Sequence, residues 1–523
     1  MTRLLLVQAL GLLIGFAAPS LPAAPAKPNI LLILADDLGY GDVQCYNPTR
    51  GKISTPNLDR LASQGMRFTD AHTSSGVCSP TRYTLLTGRF HWRTRLQSGI
   101  VGYLERPLIA PDRLTLAGLL KQHGYRTAAI GKWHLGWEWA ITPEQRPLFA
   151  PGRADAPAVT DAHRAAWKEV YAKPIRGGPT TRGFDTYFGT DVPNWPPYCF
   201  IENDTTIGIP SEFLPASQFK NHLASLGGPA LAERACAFIE RSAKQAEPFF
   251  LYMPLTSPHT PLAVNKEWLG KSGLGTYADL VMETDAAVGR VLAALDASGA
   301  ADKTLVIFTS DNGCAPYIGV KDMEAKGHFP SGPLRGYKAD AWEGGHRVPF
   351  MVRWPGVVKP GTRCDQLVMQ ADFMATFAEV LGAKLPPNAG EDSFSLLSLL
   401  RGEDKPIRQH AISHASSGLP SLRQGDWKAI FGQAGGGFGG GAAKAESTAP
   451  RMQLYNLATD LGEAKNLVAE KPELVAELTA VMERLVNDGR STPGAKQAND
   501  VPVNWKRFLT ADPAAKKAKA KAK

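Results

Sequence analysis

Three stretches of this chain stay apolar for about the length of one strand and then stop on groups that carry or bind charge. Residues 29–35 (Asn-Ile-Leu-Leu-Ile-Leu-Ala) run into Asp36-Asp37. Residues 248–253 (Pro-Phe-Phe-Leu-Tyr-Met) lead to Ser257-Pro258-His259. Residues 303–309 (Lys-Thr-Leu-Val-Ile-Phe-Thr) end at Ser310-Asp311-Asn312-Gly313. Apolar runs without period-two alternation mark strands buried on both faces, which is the signature of a parallel sheet covered by helices. Parallel strands bring their C-terminal ends to one edge, the edge at which open α/β sheets bind ligands. Amphipathic patterns over residues 55–62, 114–123, 231–242 and 277–296 supply the helices, with Gly124 and Gly299 as stops. The pattern predicts an α/β fold: a large, mostly parallel mixed sheet sandwiched by helices.

The residues at that edge have a chemistry of their own. Adjacent carboxylates repel unless a cation offsets them. An isolated Asp-Asp reads as a cap or loop pair, but Asp311 and Asn312 arrive from a second strand. Together the four side chains make an oxygen cage suited to calcium or magnesium rather than zinc. A further strand over residues 125–130 runs into Gly131-Lys132-Trp133-His134, and alternation along an extended segment puts Lys132 and His134 on one side. The stretch 76–89 places Cys78 among small polar residues just before Leu85-Leu86. That suits a helix N-terminus, whose unpaired N–H groups attract anions. Arg82, one turn on, would aim its fork at the same spot. A buried or disulfide-bonded Cys beside a solvated Arg is the other reading of so short a motif.

Cys78-Ser79-Pro80-Thr81-Arg82, followed by Leu85-Leu86-Thr87-Gly88, resembles the first signature of the type I sulfatases, with Thr81 where the family usually has Ser. Gly124-Tyr125, Thr127 and the run Gly131-Lys132-Trp133-His134 resemble the second. Arg335-Gly336-Tyr337-Lys338 and Glu343-Gly344-Gly345-His346-Arg347-Val348-Pro349 resemble later family segments. The resemblance spans residues 28–490 and is nearest to the arylsulfatase and N-acetylgalactosamine-6-sulfatase branch of the alkaline phosphatase superfamily. It implies an alkaline phosphatase-like fold and hydrolysis of a sulfate monoester, from a sulfated saccharide or an aryl sulfate. It implies that Cys78 is oxidised by a formylglycine-generating enzyme to formylglycine, whose hydrate is the nucleophile. By the same resemblance Asp36, Asp37, Asp311 and Asn312 hold calcium, with the side chain formed from Cys78 completing the site. Arg82 and Lys132 would stabilise the hydrate, with His134 beside it as base. Lys132, His259 and Lys338 would bind the sulfate, His259 also donating a proton to the leaving alcohol. Two alternatives stand beside this: a phosphodiesterase or phosphonate monoester hydrolase of the same superfamily, and a non-catalytic binder of sulfated glycans with Cys78 unmodified.

The rest of the chain sets the frame. Its 523 residues, 44% hydrophobic and 20% charged, are ample for a large core and a second unit. Lys516, Lys517, Lys519, Lys521 and Lys523 supply five of the nine net positive charges, and no nucleic-acid module is present. Residues 1–26 read as a signal peptide, with Arg3, an apolar run broken by Pro19 and Pro22, and Ala24-Pro25-Ala26 as a cleavage site. That predicts a secreted or periplasmic protein without a stable membrane anchor. Residues 27–404 read as the catalytic domain, 405–510 as a smaller α+β subdomain, and 511–523 as a basic disordered tail. Strands are expected at 411–414 and 427–431, a helix at 472–487, and a disordered Gly-rich loop at 432–443. Residues 137–181 read as an insertion with a helix near 161–172, and Trp195 and Tyr198 stand on a loop where they stack on sugars or pack the loop. The pairing of the six cysteines is open.

Overall fold

The computed structural model describes residues 27–102, 104–149, 159–192, 199–209, 228–438 and 450–510. The expected leader and tail, and Trp195 and Tyr198, lie outside the described residues. In chain order the strands are β1 (Asn29–Ala35), β2 (Met66–Phe68), β3 (Ala71–His72), β4 (Arg126–Lys132), β5 (Thr186–Thr190), β6 (Phe200–Glu202), β7 (Thr205–Ile207) and β8 (Phe249–Pro254). They continue as β9 (Thr304–Ser310), β10 (Phe350–Arg353), β11 (Thr362–Cys364), β12 (Val368–Met369), β13 (His410–His414), β14 (Pro420–Gln424), β15 (Trp427–Ile430) and β16 (Gln453–Asn456). Ten of them form one sheet in the order β11-β2-β10-β9-β1-β8-β4-β5-β6-β7.

The centre of that sheet, β9-β1-β8-β4-β5, is parallel throughout. β10 and β6 run antiparallel to the strands beside them, so the sheet is mixed, as expected. The uninterrupted apolar run of β1 is explained by its two faces. Ile30, Leu32 and Leu34 enter one core with residues of the helices Cys78–Thr87, Leu116–Gln122 and Phe373–Val380. Leu31, Ile33 and Ala35 enter the opposite core with residues of Gly228–Ser242 and Thr276–Ala297. Burial on both sides leaves no position for a polar residue until the strand ends.

β13-β14-β15-β16 form a separate antiparallel sheet, packed against the helix Pro472–Asn487. Its core takes in Phe90 and Trp92, which follow directly after the Cys78 helix. Two expectations need correction. The Gly-rich run is docked rather than loose over residues 432–438: Gly435 O accepts from Ala341 N at 2.7 Å and Gly432 O from Gln453 Nε2 at 2.8 Å. The strand that ends at Lys132 does not continue, because His134 has φ 54°. Alternation along an extended segment therefore does not set the relation of Lys132 to His134; a left-handed turn does.

Candidate active site

β1, β9, β4 and the segment after β8 deliver their terminal side chains to one edge. Asp36 N donates to Ser257 O and Asp311 N to Ala35 O, each at 3.0 Å, so the strand ends stay locked together past the sheet. Asp37 then turns left-handed, with φ 67°. Its N–H donates to Asp311 Oδ1 at 3.1 Å, while its own Oδ1 accepts from Asn312 Nδ2 at 2.7 Å. Lys132 Nζ lies 2.7 Å from Asp36 Oδ2, and Lys338 Nζ 2.6 Å from Asp37 Oδ2. His259 Nε2 stands 3.6 Å from Asp37 Oδ2.

Cys78 opens the helix Cys78–Thr87, as the sequence predicts. The approach to it is pinned from the small sheet: His414 N donates to Ser74 O at 3.0 Å, and Gly76 N to His414 O at 2.9 Å. Ala339 N, next to Lys338, donates to Gly76 O at 2.6 Å. Ser79 Oγ accepts from Val101 N at 3.1 Å, and His134 Nε2 donates to Val101 O at 3.2 Å, so a single loop ties the Cys78 helix to His134. That donation leaves Nδ1 as the basic nitrogen of His134. Donor atoms of Cys78, Asp36, Asp37 and His259 all lie within 4.8 Å of one another.

Arg82 is committed elsewhere than expected. Its Nε and one terminal nitrogen donate to Asp311 Oδ2 at 3.1 and 2.7 Å, and the other terminal nitrogen donates to Lys132 O at 3.0 Å. The fork clamps Asp311 and the end of β4, so its effect on Cys78 runs through the charge it places there rather than through a direct bond.

Burial makes these charges interact strongly. Burial pushes the Cys78 thiol up to about 11 despite the pull of Lys132 and Lys338. An unmodified Cys78 is therefore a protonated thiol at neutral pH and a poor nucleophile. Burial also pushes on Asp36, but Lys132, His259, Arg82 and Lys338 outweigh it and hold that carboxyl far below its ordinary value. Burial and the neighbouring Asp36 charge drive Asp311 up to about 7. Burial holds His134 well below its ordinary value and brings His259 down to about 4, Lys338 adding to the effect on His259.

The oxygen set fits a hard divalent cation. Asp36 Oδ1 and Asn312 Oδ1 are both buried and neither accepts a hydrogen bond. Orphaned acceptors are costly at this depth unless something positive faces them. Burial first and the like charge of Asp36 second lift Asp311, and a cation at these oxygens would offset both.

Comparison with known proteins decides among the chemistries this edge could serve. Residues 28–383 match the sequence profile of the family described as Sulfatase. The chain belongs to the sulfatase family. It is 34% identical to the N-acetylgalactosamine-6-O-sulfatase of Bacteroides thetaiotaomicron over 87% of this chain and 93% of that protein. It is 32% identical to human arylsulfatase A over 91% of this chain and 89% of that one. Among solved structures, a B. thetaiotaomicron sulfatase from a locus for metabolism of multiple glycosaminoglycans superposes with a TM-score of 0.74 at 29% identity, covering 88% of this chain and 99% of that one. A second, Ps i-CgsB in complex with a neocarrahexaose, does so with a TM-score of 0.66 at 26% identity, covering 94% and 99%. This sulfatase is thus a sulfuric ester hydrolase on an alkaline phosphatase-like fold.

The structure of the sulfatase brings together every site residue expected from its sequence, and adds a cluster that the sequence did not announce. His72, Glu343 and His346 lie buried together. Lys428 Nζ, from the small sheet, reaches Glu343 Oε1 and Glu463 Oε1, each at 2.9 Å. Arg347 binds Glu343 at 3.2 Å and Asp70 at 3.0 Å. A relay of two rings connects them. His346 Nε2 lies 3.2 Å from Lys428 Nζ and 3.1 Å from Ala341 O, the Nδ1 atoms of His346 and His72 pair at 3.0 Å, and His72 Nε2 donates to Asp70 at 2.8 Å. Glu343 and Arg347 stand in a segment that resembles the family, but no local spacing joins it to residues 70, 428 and 463.

Proposed function

We propose that this sulfatase removes sulfate from a sulfated carbohydrate, using a formylglycine made from Cys78 and a calcium ion held by Asp36, Asp37, Asp311 and Asn312. One observation carries the reading: a thiol whose acidity is suppressed sits at a helix N-terminus between two buried lysines and orphaned carboxylate and amide oxygens. A thiol so placed has little use as itself and much as the precursor of an uncharged nucleophile. The carbohydrate assignment is supported by the relative named N-acetylgalactosamine-6-O-sulfatase and by the neocarrahexaose ligand of the second structure.

The hydrated aldehyde derived from Cys78 supplies a hydroxyl nucleophile, and calcium, when bound, supplies Lewis-acid polarisation of a sulfate oxygen. The chain's own side chains supply the rest. Three carboxylates (Asp36, Asp37, Asp311) face three cations (Arg82, Lys132, Lys338), so a dication leaves the pocket with an excess of positive charge in low dielectric. That is a well for a sulfate monoester. Lys132 and Lys338, already held by carboxylates, need no reorganisation to meet the anion. His134 offers Nδ1 as a base beside the Cys78 helix. His259 uses Nδ1 to donate to Thr260 O, which leaves Nε2 facing Asp37. Depressed to about 4, His259 arrives neutral; the bound anion raises its proton affinity and prepares Nε2 to protonate the departing alcohol.

We also place the catalytic unit at residues 27–404 and the smaller one at 405–510, with export through the leader at 1–26. A formylglycine-generating enzyme is the maturation partner. Among the described residues no helix is long and apolar enough to cross a membrane. The test is sulfate release from a panel of sulfated oligosaccharides by protein coexpressed with that enzyme, with calcium and with a chelator. The expected result is release from at least one saccharide, abolished by chelation. Release from phosphate diesters in preference to every sulfate ester would overturn the reading.

A further inference from the structure

Five large apolar side chains stand exposed among the described residues: Ile207, Ile209, Leu269, Tyr317 and Phe438. Two of them face each other. The rings of Tyr317 and Phe438 lie 6.5 Å apart at 46°, with 58% and 55% of their surface open. They come from distant parts of the chain and meet beside Lys338. Tyr317 follows the Asp311-Asn312 end of β9, and Cys314 O, three residues before it, accepts from Lys338 N at 2.8 Å. Tyr317 is also close enough to Lys338 for the two side chains to interact electrostatically.

Phe438 is brought there by the glycines before it. The run lies flat on the segment that follows Lys338, anchored by the Ala341–Gly435 hydrogen bond described above. A Cβ on Gly435 would meet the Trp342 ring at 2.5 Å, and one on Gly437 would meet Asp340 Oδ1 at 2.2 Å. A larger residue at either position has to push aside the side chain of Trp342 or Asp340. The glycines thus hold the Phe438 ring against Tyr317, over the segment that follows Lys338.

Resting on the carbohydrate reading above, we propose that Tyr317 and Phe438 form a stacking corner for a pyranose ring of the substrate at the mouth of the sulfate pocket. Exposed rings that gain nothing from a protein core present apolar faces to solvent. The C–H face of a sugar matches them while its hydroxyls stay wet. Lys338 behind the corner takes the sulfate, so the two contacts read the two halves of one sulfated sugar.

The test uses full-length, formylglycine-bearing protein, a sulfated oligosaccharide that the wild type cleaves, and a small acyclic alkyl sulfate as control. Tyr317→Ala and Phe438→Ala should each raise KM for the oligosaccharide about 3- to 10-fold with kcat nearly unchanged, the range expected for one aromatic contact. Tyr317→Phe and Phe438→Tyr should restore the wild-type KM, and the KM for the alkyl sulfate should not move in any variant. An oligosaccharide KM within about 2-fold of wild type in the double Ala variant, below the weakest aromatic contact, overturns the stacking corner alone. A wild type that cleaves aryl or alkyl sulfates but no sulfated saccharide overturns the carbohydrate reading, and the corner with it.

Discussion

The molecule buries two clusters of charge built from nearly the same parts, and they differ in what they leave unfinished. At the strand ends, Asp36, Asp37 and Asp311 meet Arg82, Lys132, Lys338 and His259. At the contact with the small sheet, Asp70, Glu343 and Glu463 meet Arg347, Arg423, Lys428 and two histidines. In the second cluster the cations are shared: Lys428 and Arg347 each serve two carboxylates, and the histidines pass one hydrogen bond along. In the first, Asn312 Oδ1 accepts nothing, and Asp36 Oδ1 has no hydrogen bond and only Arg82 at 3.5 Å. Glu463 Oε1 of the second cluster also lacks a well-aligned hydrogen bond but lies 2.9 Å from Lys428 Nζ. Burial and charge alone do not distinguish a functional centre from a structural one. An uncommitted ligand atom beside a suppressed nucleophile does.

The comparison predicts opposite outcomes for mutation. Cys78→Ala should lower kcat by at least ~10⁴-fold, as loss of a nucleophile does, while thermal unfolding stays near wild type. Lys428→Met should do the reverse. It leaves Glu343 and Glu463 buried without their shared cation, costing about 3–5 kcal/mol by denaturant unfolding, with kcat per folded molecule little changed. A loss of activity without a loss of stability in Lys428→Met would erase the distinction. Asp37→Ala comes next. It should cost about 10²-fold or more in kcat/KM, and a chelator that lowers the melting temperature of the wild type should leave that of the variant unmoved.

The smallest effect is in the pH dependence of stability. His346 is held well below its ordinary 6.5, first by burial and then by Lys428. The unfolded chain then binds the proton that the folded one refuses. The contribution of His346 is complete above pH 6.5 and shrinks as pH falls, by about 1.4 kcal/mol per unit per proton. Glu463 acts in the opposite sense. Burial and Glu343 push it from 4.5 up to about 7, so the folded protein holds that proton more tightly, and stability falls as pH rises between those values. Denaturant titrations from pH 4.5 to 8 on His346→Gln should show a shallower acid limb, and on Glu463→Gln a shallower fall toward neutrality. Slopes identical to wild type in both would mean that the second cluster does not titrate as a buried unit.

Much of the first cluster is legible in the sequence. Three apolar runs with polar ends fix both the parallel centre of the sheet and the shared edge, because a strand buried on two faces can place chemistry only at its end. The helix expected at 472–487 stands at those limits. What was not legible depends on single backbone turns and on docking. Nothing in the sequence announces that Asp37 or His134 turns left-handed. A run of glycines reads as a loose loop unless one knows that Trp342 and Asp340 lie beneath it. Short strands such as β2, β11 and β12 carry too few residues for a period to appear. The second cluster gathers residues 70–72, 343–347, 423–428 and 463, a spread that only tertiary packing brings together.

The account turns on Cys78 being a precursor rather than a working thiol. Peptide mass spectrometry on protein that is hydrolysing a sulfate ester tests this directly. The Cys78 peptide should be ~18 Da lighter than its encoded mass, the change from thiol to aldehyde that the nucleophile requires. Turnover by protein in which every Cys78 remains a thiol would contradict it.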